Sequence, residues 1–143
     1  MIFFERFEKR TNHWREFRQE LETVDHPLDR AIRFWNQAPI SARTCDPYDR
    51  DTWPEAWQLI EENKYCDFGK ILAIYYTISL TDRYSESKFE IQIAQDRLKQ
   101  KLYYLLIVDD MVIGYDYSHA VHISELPDTL EMQGKLVMVP DQD

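Results

Sequence analysis

The chain has 143 residues, 44% of them hydrophobic and 14% aromatic, enough apolar material to bury a core of its own and too much to stay disordered, so it reads as a single domain over residues 1–143. Its 17 Lys and Arg are outnumbered by 26 Asp and Glu, a formal charge of −9; with no Lys/Arg run to offset that field, nucleic acid is excluded and other protein subunits with a basic face are the better electrostatic match. There is no signal-peptide pattern and no run long enough to span a bilayer, so no membrane partner is expected; Cys45 and Cys66 are expected as free thiols in a reducing cytoplasm, although a single bridge between them is open to them.

In chain order, residues 2–22 read as an amphipathic helix. Phe3, Phe7, Trp14, Phe17 and Leu21 recur at three-, four- or seven-residue steps, with Glu, Arg, Lys and Gln between them. That face either docks on the domain's own core or, because Phe3, Phe4, Phe7, Trp14 and Phe17 are more aromatic area than one short helix needs, presents an interaction surface to another protein. His13 falls among polar residues and reads as a surface histidine.

Asp25-His26-Pro27 restarts the chain, with proline suited to a first helical turn. Leu28, Ala31, Ile32 and Trp35 form one stripe, and Pro39 closes the segment. Residues 41–50 carry turn formers and no period, so they read as a loop in which Cys45 and Asp46 are ordinary loop residues. Residues 1–50 thus form a helical extension, and 51–143 an α+β core.

Thr52-Trp53-Pro54-Glu55 has the form of a capping box, in which the Thr hydroxyl and the Glu carboxylate satisfy each other's backbone N–H groups. Trp53, Ala56, Trp57 and Ile60 continue it as a short helix. The run from Phe68 to Leu80 is apolar at nearly every position. Two short buried strands are one reading; its length, with Leu72 and Ala73 mid-run, favours a buried helix. Cys66 then lies at its first turn, where orphan N–H groups and the positive end of the dipole stabilise an anion, one setting in which a thiol becomes a nucleophile. The alternative for Cys66 is a small buried hydrophobe that alkylating reagents label slowly.

Beyond Leu80 the period changes. Phe89, Ile91 and Ile93 alternate with Glu90 and Gln92 as a half-buried strand. Residues 102–108 and 111–117 are two apolar runs around Asp109-Asp110, a tight hairpin, and Gly114 marks a bulge or a close backbone approach. Residues 120–123 extend that second strand, 125–134 are irregular, and 135–139 form a last edge strand. Helices first and antiparallel strands afterwards give an α+β fold, with the helical half packed on one face of a small sheet.

No Cys/His spacing matches a metal site and no Gly-rich phosphate loop occurs, so no metal or cofactor is expected. The order of parts over Thr52 to Tyr117, carried by Thr52-Trp-Pro-Glu-Ala-Trp, Tyr65-Cys-Asp-Phe and Val112-Ile-Gly-Tyr-Asp116, resembles the transglutaminase-like cysteine fold. That resemblance implies a thiol nucleophile at Cys66, a histidine as proton carrier and an orienting acid at Asp116, the set that acyl transfer requires. The family's Gly-Asp before the cysteine is Lys64-Tyr65 here, and the position of the family's histidine falls at about Tyr103, a poor proton shuttle at neutral pH. His119 and His122 are the possible substitutes; three positions apart, they would point to opposite faces of a strand.

The segment Ala42-Arg-Thr-Cys-Asp-Pro-Tyr-Asp followed by Thr52-Trp-Pro also resembles small uncharacterised proteins of tailed bacteriophages, which implies a virion component or assembly factor. Two functions follow as expectations. One is a non-catalytic structural or interaction protein, a transglutaminase-like pseudoenzyme located in the cytoplasm or, if of phage origin, the virion. The other is a cysteine-dependent acyl-transfer enzyme using Cys66, Asp116 and His119.

Overall fold

A computed structural model describes residues 2–40, 45–116 and 118–138. Four helices precede five strands: α1 Phe7–Leu21, α2 Pro27–Trp35, α3 Ala56–Glu62, α4 Asp67–Ser79, then β1 Phe89–Asp96, β2 Lys101–Val108, β3 Met111–Ile113, β4 Val121–His122 and β5 Leu130–Met138. The strands make one antiparallel sheet in the order β4-β3-β2-β1-β5, so the α+β expectation holds. No described helix is long and apolar enough to cross a membrane.

The all-round apolar run becomes α4, the centre of the fold. Phe68, Ile71, Leu72, Ala73, Ile74, Tyr75 and Ile78 are all buried, in one cluster with α1, α2, α3 and the inner sheet face at Phe89, Ile91, Leu106 and Ile113. Two indole rings reach α4 from different helices, Trp14 on α1 and Trp35 on α2. Both donate to the Thr77 hydroxyl, at 2.9 and 3.0 Å, and that hydroxyl donates to the Ala73 carbonyl at 2.7 Å. Thr77 is completely buried. One side chain therefore satisfies the two polar atoms that large aromatic residues bring into the core.

The first helix differs from the expectation in two ways. It is broken: Ile2–Phe4 form a 3-10 turn, Arg6 is extended, and α1 starts at Phe7. The break lets Phe3 turn inward against Phe34, Trp35 and Tyr65, with ring centroids 5.6–5.9 Å apart. The aromatic face is also mostly core. Phe3, Trp14 and Phe17 are buried, and of the five residues suggested as an interaction surface only Phe4, 86% exposed, and Phe7, 38% exposed, face outward. Deleting residues 1–22 would therefore strip part of the core together with Phe4 and Phe7.

Thr52 does not cap α3. A residue before proline is driven away from the helical region, and Trp53 accordingly sits at φ −78, ψ 132. The helix starts one turn later, with Glu55 as N-cap, its N–H donating to Gln58 Oε1 at 2.7 Å in a Glu–Gln capping box. Thr52 instead closes the preceding loop. Its hydroxyl accepts from Asp46 N–H at 2.9 Å and donates to the Asp49 carbonyl at 2.7 Å.

In the sheet, Asp109 takes the left-handed conformation at φ 54, and the Asp109-Asp110 hairpin forms as expected. β3 is shorter than the run 111–117, whose last residue, Tyr117, lies outside the described residues, because the chain turns at Gly114 with φ +110. A Cβ on Gly114 would sit 2.4 Å from the Tyr104 carbonyl oxygen, which bears out a close approach. Residues 121–122 do not extend β3; they return as β4, pairing Met111 with His122 and Val112 with Val121. β5 begins at Leu130 rather than 135, its register shifting opposite Ile93 and Ala94, and that irregularity masked the strand's alternation. Val139 lies outside the described residues, as do positions 42–44 of the 42–53 segment.

Candidate functional site

Cys66 is the N-cap of α4. Extended at φ −95, ψ 176, it turns its sulfur back over the first turn to accept the Gly69 N–H at 3.3 Å. The buried helix, entered through the turn after Asn63 (φ 53), thus fixes the thiol at a helix end where negative charge is favoured. A second sulfur arrives from the loop before α3: Cys45 Sγ lies 3.8 Å from Cys66 Sγ. Both residues are half-buried and unbridged.

The hydrogen bond from Cys45 is the largest influence on Cys66 and, with the Gly69 N–H, outweighs partial burial; the thiol pKa is lowered to about 5. Cys66 is therefore expected to react with iodoacetamide at a rate that stays nearly flat from pH 8 to 6 and reaches half its plateau near pH 5. The alternative of an inert buried hydrophobe predicts slow labelling instead. Peptide mapping of the labelled site would check this, and Cys45→Ala should move the midpoint upward. The sign for stability follows. Because the folded-state pKa is depressed, the thiolate's contribution is complete above the unfolded value of about 8.5, shrinks as pH falls, and is gone below about 5.

On the side of β2 that meets α4 lies Tyr104, not Tyr103. The β2 alternation puts Tyr104 on the helix face, its ring edge-on to Phe68 at 5.4 Å. Its phenol pKa is raised, first by burial and then by the proximity of Cys66 and Asp67. Tyr103 points to the other sheet face, among Leu105, Ile107, Val112 and Val121 and against the Tyr115 ring at 5.5 Å. Tyr103, the position the resemblance implies for a histidine, thus lies on the sheet face away from α4.

Asp116 and His119 come together with each other, not with Cys66. Asp116 accepts from Ser118 N–H at 2.8 Å and from the Ser118 hydroxyl at 2.7 Å, and His119 Nδ1 lies 3.5 Å from its carboxylate. The Ser118 donors hold the Asp116 pKa below its usual range. His122 bonds Ser124 instead. Among the described residues the hydrogen-bond partners of the Cys66 sulfur are Gly69 and Cys45, and no histidine joins them.

Asp116 does line a cavity of about 140 Å³ between α2, α4 and the open end of β2. Its floor is apolar (Trp35, Ile71, Ile74, Ile113), and Asp67, Lys70, Lys101 and Asp116 ring it with charges of both signs. Partial burial lowers the Lys70 pKa, against the opposing pull of Asp67. No group of three or more His, Cys, Asp or Glu suited to a metal ion occurs among the described residues.

Sequence reasoning located Cys66 and its helix end but treated Cys45 as an ordinary loop residue. Nothing in a 21-residue separation announces a contact between two sulfurs. Tyr104 had a usable signal, since Leu102, Tyr104 and Leu106 share the face that meets α4.

The fold and the site together define an α+β domain with helices on one face of an antiparallel sheet and a paired, N-capping cysteine at the head of its buried helix. Comparisons with protein-family models, with curated proteins and with solved structures return no match.

Proposed function

We propose that this chain is a protein-interaction domain, a structural or assembly component whose transglutaminase-like parts lack a working acyl-transfer set. The observation that carries this reading is the company kept by the candidate residues. The Cys66 sulfur is engaged by Cys45 and Gly69, while His13, His119 and His122 are each tied into local contacts with Glu5, Ser118 and Ser124. Without a positioned base, the leaving amine of an amide has no proton source and the second half of acyl transfer stalls. The net charge of −9 suits a basic partner face, and Phe4 and Phe7 are the outward-facing aromatic anchors that remain on the first segment. If the likeness of residues 42–53 to tailed-phage proteins reflects origin, the partners are other subunits of the particle.

One feature favours acyl transfer instead: the hydrogen bond with Cys45 and the Gly69 N–H lower the Cys66 pKa to about 5. Incorporation of a fluorescent primary amine into a glutamine-rich protein separates the two readings. The expected result is a signal no higher than that of Cys66→Ala, and Cys66-dependent incorporation would establish the enzyme. On the interaction side, the double variant Phe4→Ser, Phe7→Ser should keep the wild-type melting temperature and lose partner binding, a loss of about 2 kcal/mol or more if these are anchors. Unchanged binding would move the docking face elsewhere.

A further inference from the structure

We propose that Cys45 and Cys66 are a thiol–disulfide exchange pair acting on low-molecular-weight disulfides, with Cys66 as the attacking sulfur and Cys45 as the resolving one. The two sulfurs come from separate elements, an irregular loop and a helix N-cap, yet lie 3.8 Å apart. Cys45 is tethered through the residue that follows it. Asp46, its neighbour, is pinned by the Thr52 hydroxyl at its N–H and by the Trp53 indole at its carbonyl, each at 2.9 Å. To form a bridge of about 2.05 Å the two sulfurs must close by about 1.8 Å from their 3.8 Å separation.

The roles are assigned by the helix end. Cys66 Sγ accepts the Gly69 N–H at the head of a 13-residue helix, where negative charge is favoured, and Cys45 Sγ is the sulfur beside it. Both thiols are only partly exposed, which favours a small disulfide over one set in a folded protein. Exchange also needs no histidine, because the nucleophile is already ionised and the leaving group departs as a thiolate. The arrangement that is incomplete for acyl transfer is complete for this reaction.

In the first step Cys66 S⁻ attacks one sulfur of RS–SR; the S–S bond breaks, RS⁻ leaves, and Cys66–S–SR forms. In the second, Cys45 loses its proton and attacks Cys66 Sγ, expelling the second RS⁻ and closing the Cys45–Cys66 bond. One RS⁻ takes up the proton released by Cys45, and the other takes one from water, to which Cys66 had already given its own. Two thiols are oxidised, one disulfide is reduced, and the balance closes.

The test is incubation of the intact protein with oxidised glutathione at pH 6, followed by acid quenching, intact mass and non-reduced peptide mapping. Wild-type protein is expected to pass through a glutathione adduct on Cys66 and to end as the internal Cys45–Cys66 disulfide. Cys45→Ser, which retains a hydroxyl donor, should stop at the adduct. Cys66→Ser should react roughly tenfold more slowly than the first wild-type step, because thiolate fraction at that pH outweighs the lower nucleophilicity of a low-pKa sulfur. A stable adduct without the internal bond, first attack by Cys45, equal rates in the two variants, or no reaction while the urea-unfolded chain is consumed would each overturn the proposal. The wild-type arm decides the bridge even if a variant fails to fold.

Discussion

Thr77→Val should lower the stability of the domain by about 2–5 kcal/mol, a large share of the 5–15 kcal/mol that holds a typical domain together. The substitution nearly conserves shape, so no cavity accompanies it. What it removes is the common acceptor of two buried indoles, Trp14 and Trp35. Each N–H left without a partner costs about 1–3 kcal/mol, and neither ring can reach water without unpacking its helix from α4. Urea unfolding followed by tryptophan fluorescence measures the loss, and Thr77→Ser, which keeps the hydroxyl, should recover most of it. A Val variant within about 0.5 kcal/mol of wild type, the usual scatter of neutral substitutions, would mean that the indoles find other acceptors.

Gly114→Ala should destabilise on the order of 3 kcal/mol or more, through two causes that act together. At φ +110 the backbone lies where L side chains rarely go, and the added Cβ would fall 2.4 Å from the Tyr104 carbonyl, with Ile71 Cδ1 at 3.2 Å. The methyl of Ile71 can give way; a carbonyl within the β2 strand cannot do so without pulling on the sheet. The damage should concentrate at the β2–β3 edge, so amide exchange should quicken at residues 111–113 and 121–122 well before it does in α4. An Ala variant with wild-type exchange at those amides would show that the turn relaxes freely.

Much of this architecture was legible in the residues, and the parts that were not share a cause. Phe68 to Leu80, apolar all round, announced a buried helix, and Asp109-Asp110 between two apolar runs announced a hairpin, because both signals are local periodicities. The start of α3 was misplaced because Thr52-Trp-Pro-Glu satisfies the spacing of a capping box, whereas Pro54 acts on the backbone of Trp53 and forbids it. The first helix's aromatics gave a stripe and left two destinations open, the domain's own core or a partner: periodicity says which residues share a face, not what that face meets. At the candidate site, Cys66 could be placed because a helix end is a local feature. Its partner Cys45, the shared acceptor Thr77 and the apposition of Tyr104 depend on tertiary contacts across 21, 63 and 42 residues or on which face of β2 meets α4, and no spacing encodes them.

The placement of β5 bears on how the chain is made. β1 is complete at Asp96, and β2 and β3 can fold onto one flank of it within the next 17 residues, yet its other flank is closed only when Leu130–Met138 arrive. During synthesis at about 5–20 residues per second, that flank stands open for the time needed to make the intervening 33 residues, 97–129. The strand left unpaired is Phe89-Glu-Ile-Gln-Ile-Ala, an alternating segment of the kind that pairs readily with its own copies. Nascent chains held on crowded ribosomes, or truncated before residue 130, are the species in which this sheet would be completed by the wrong strand.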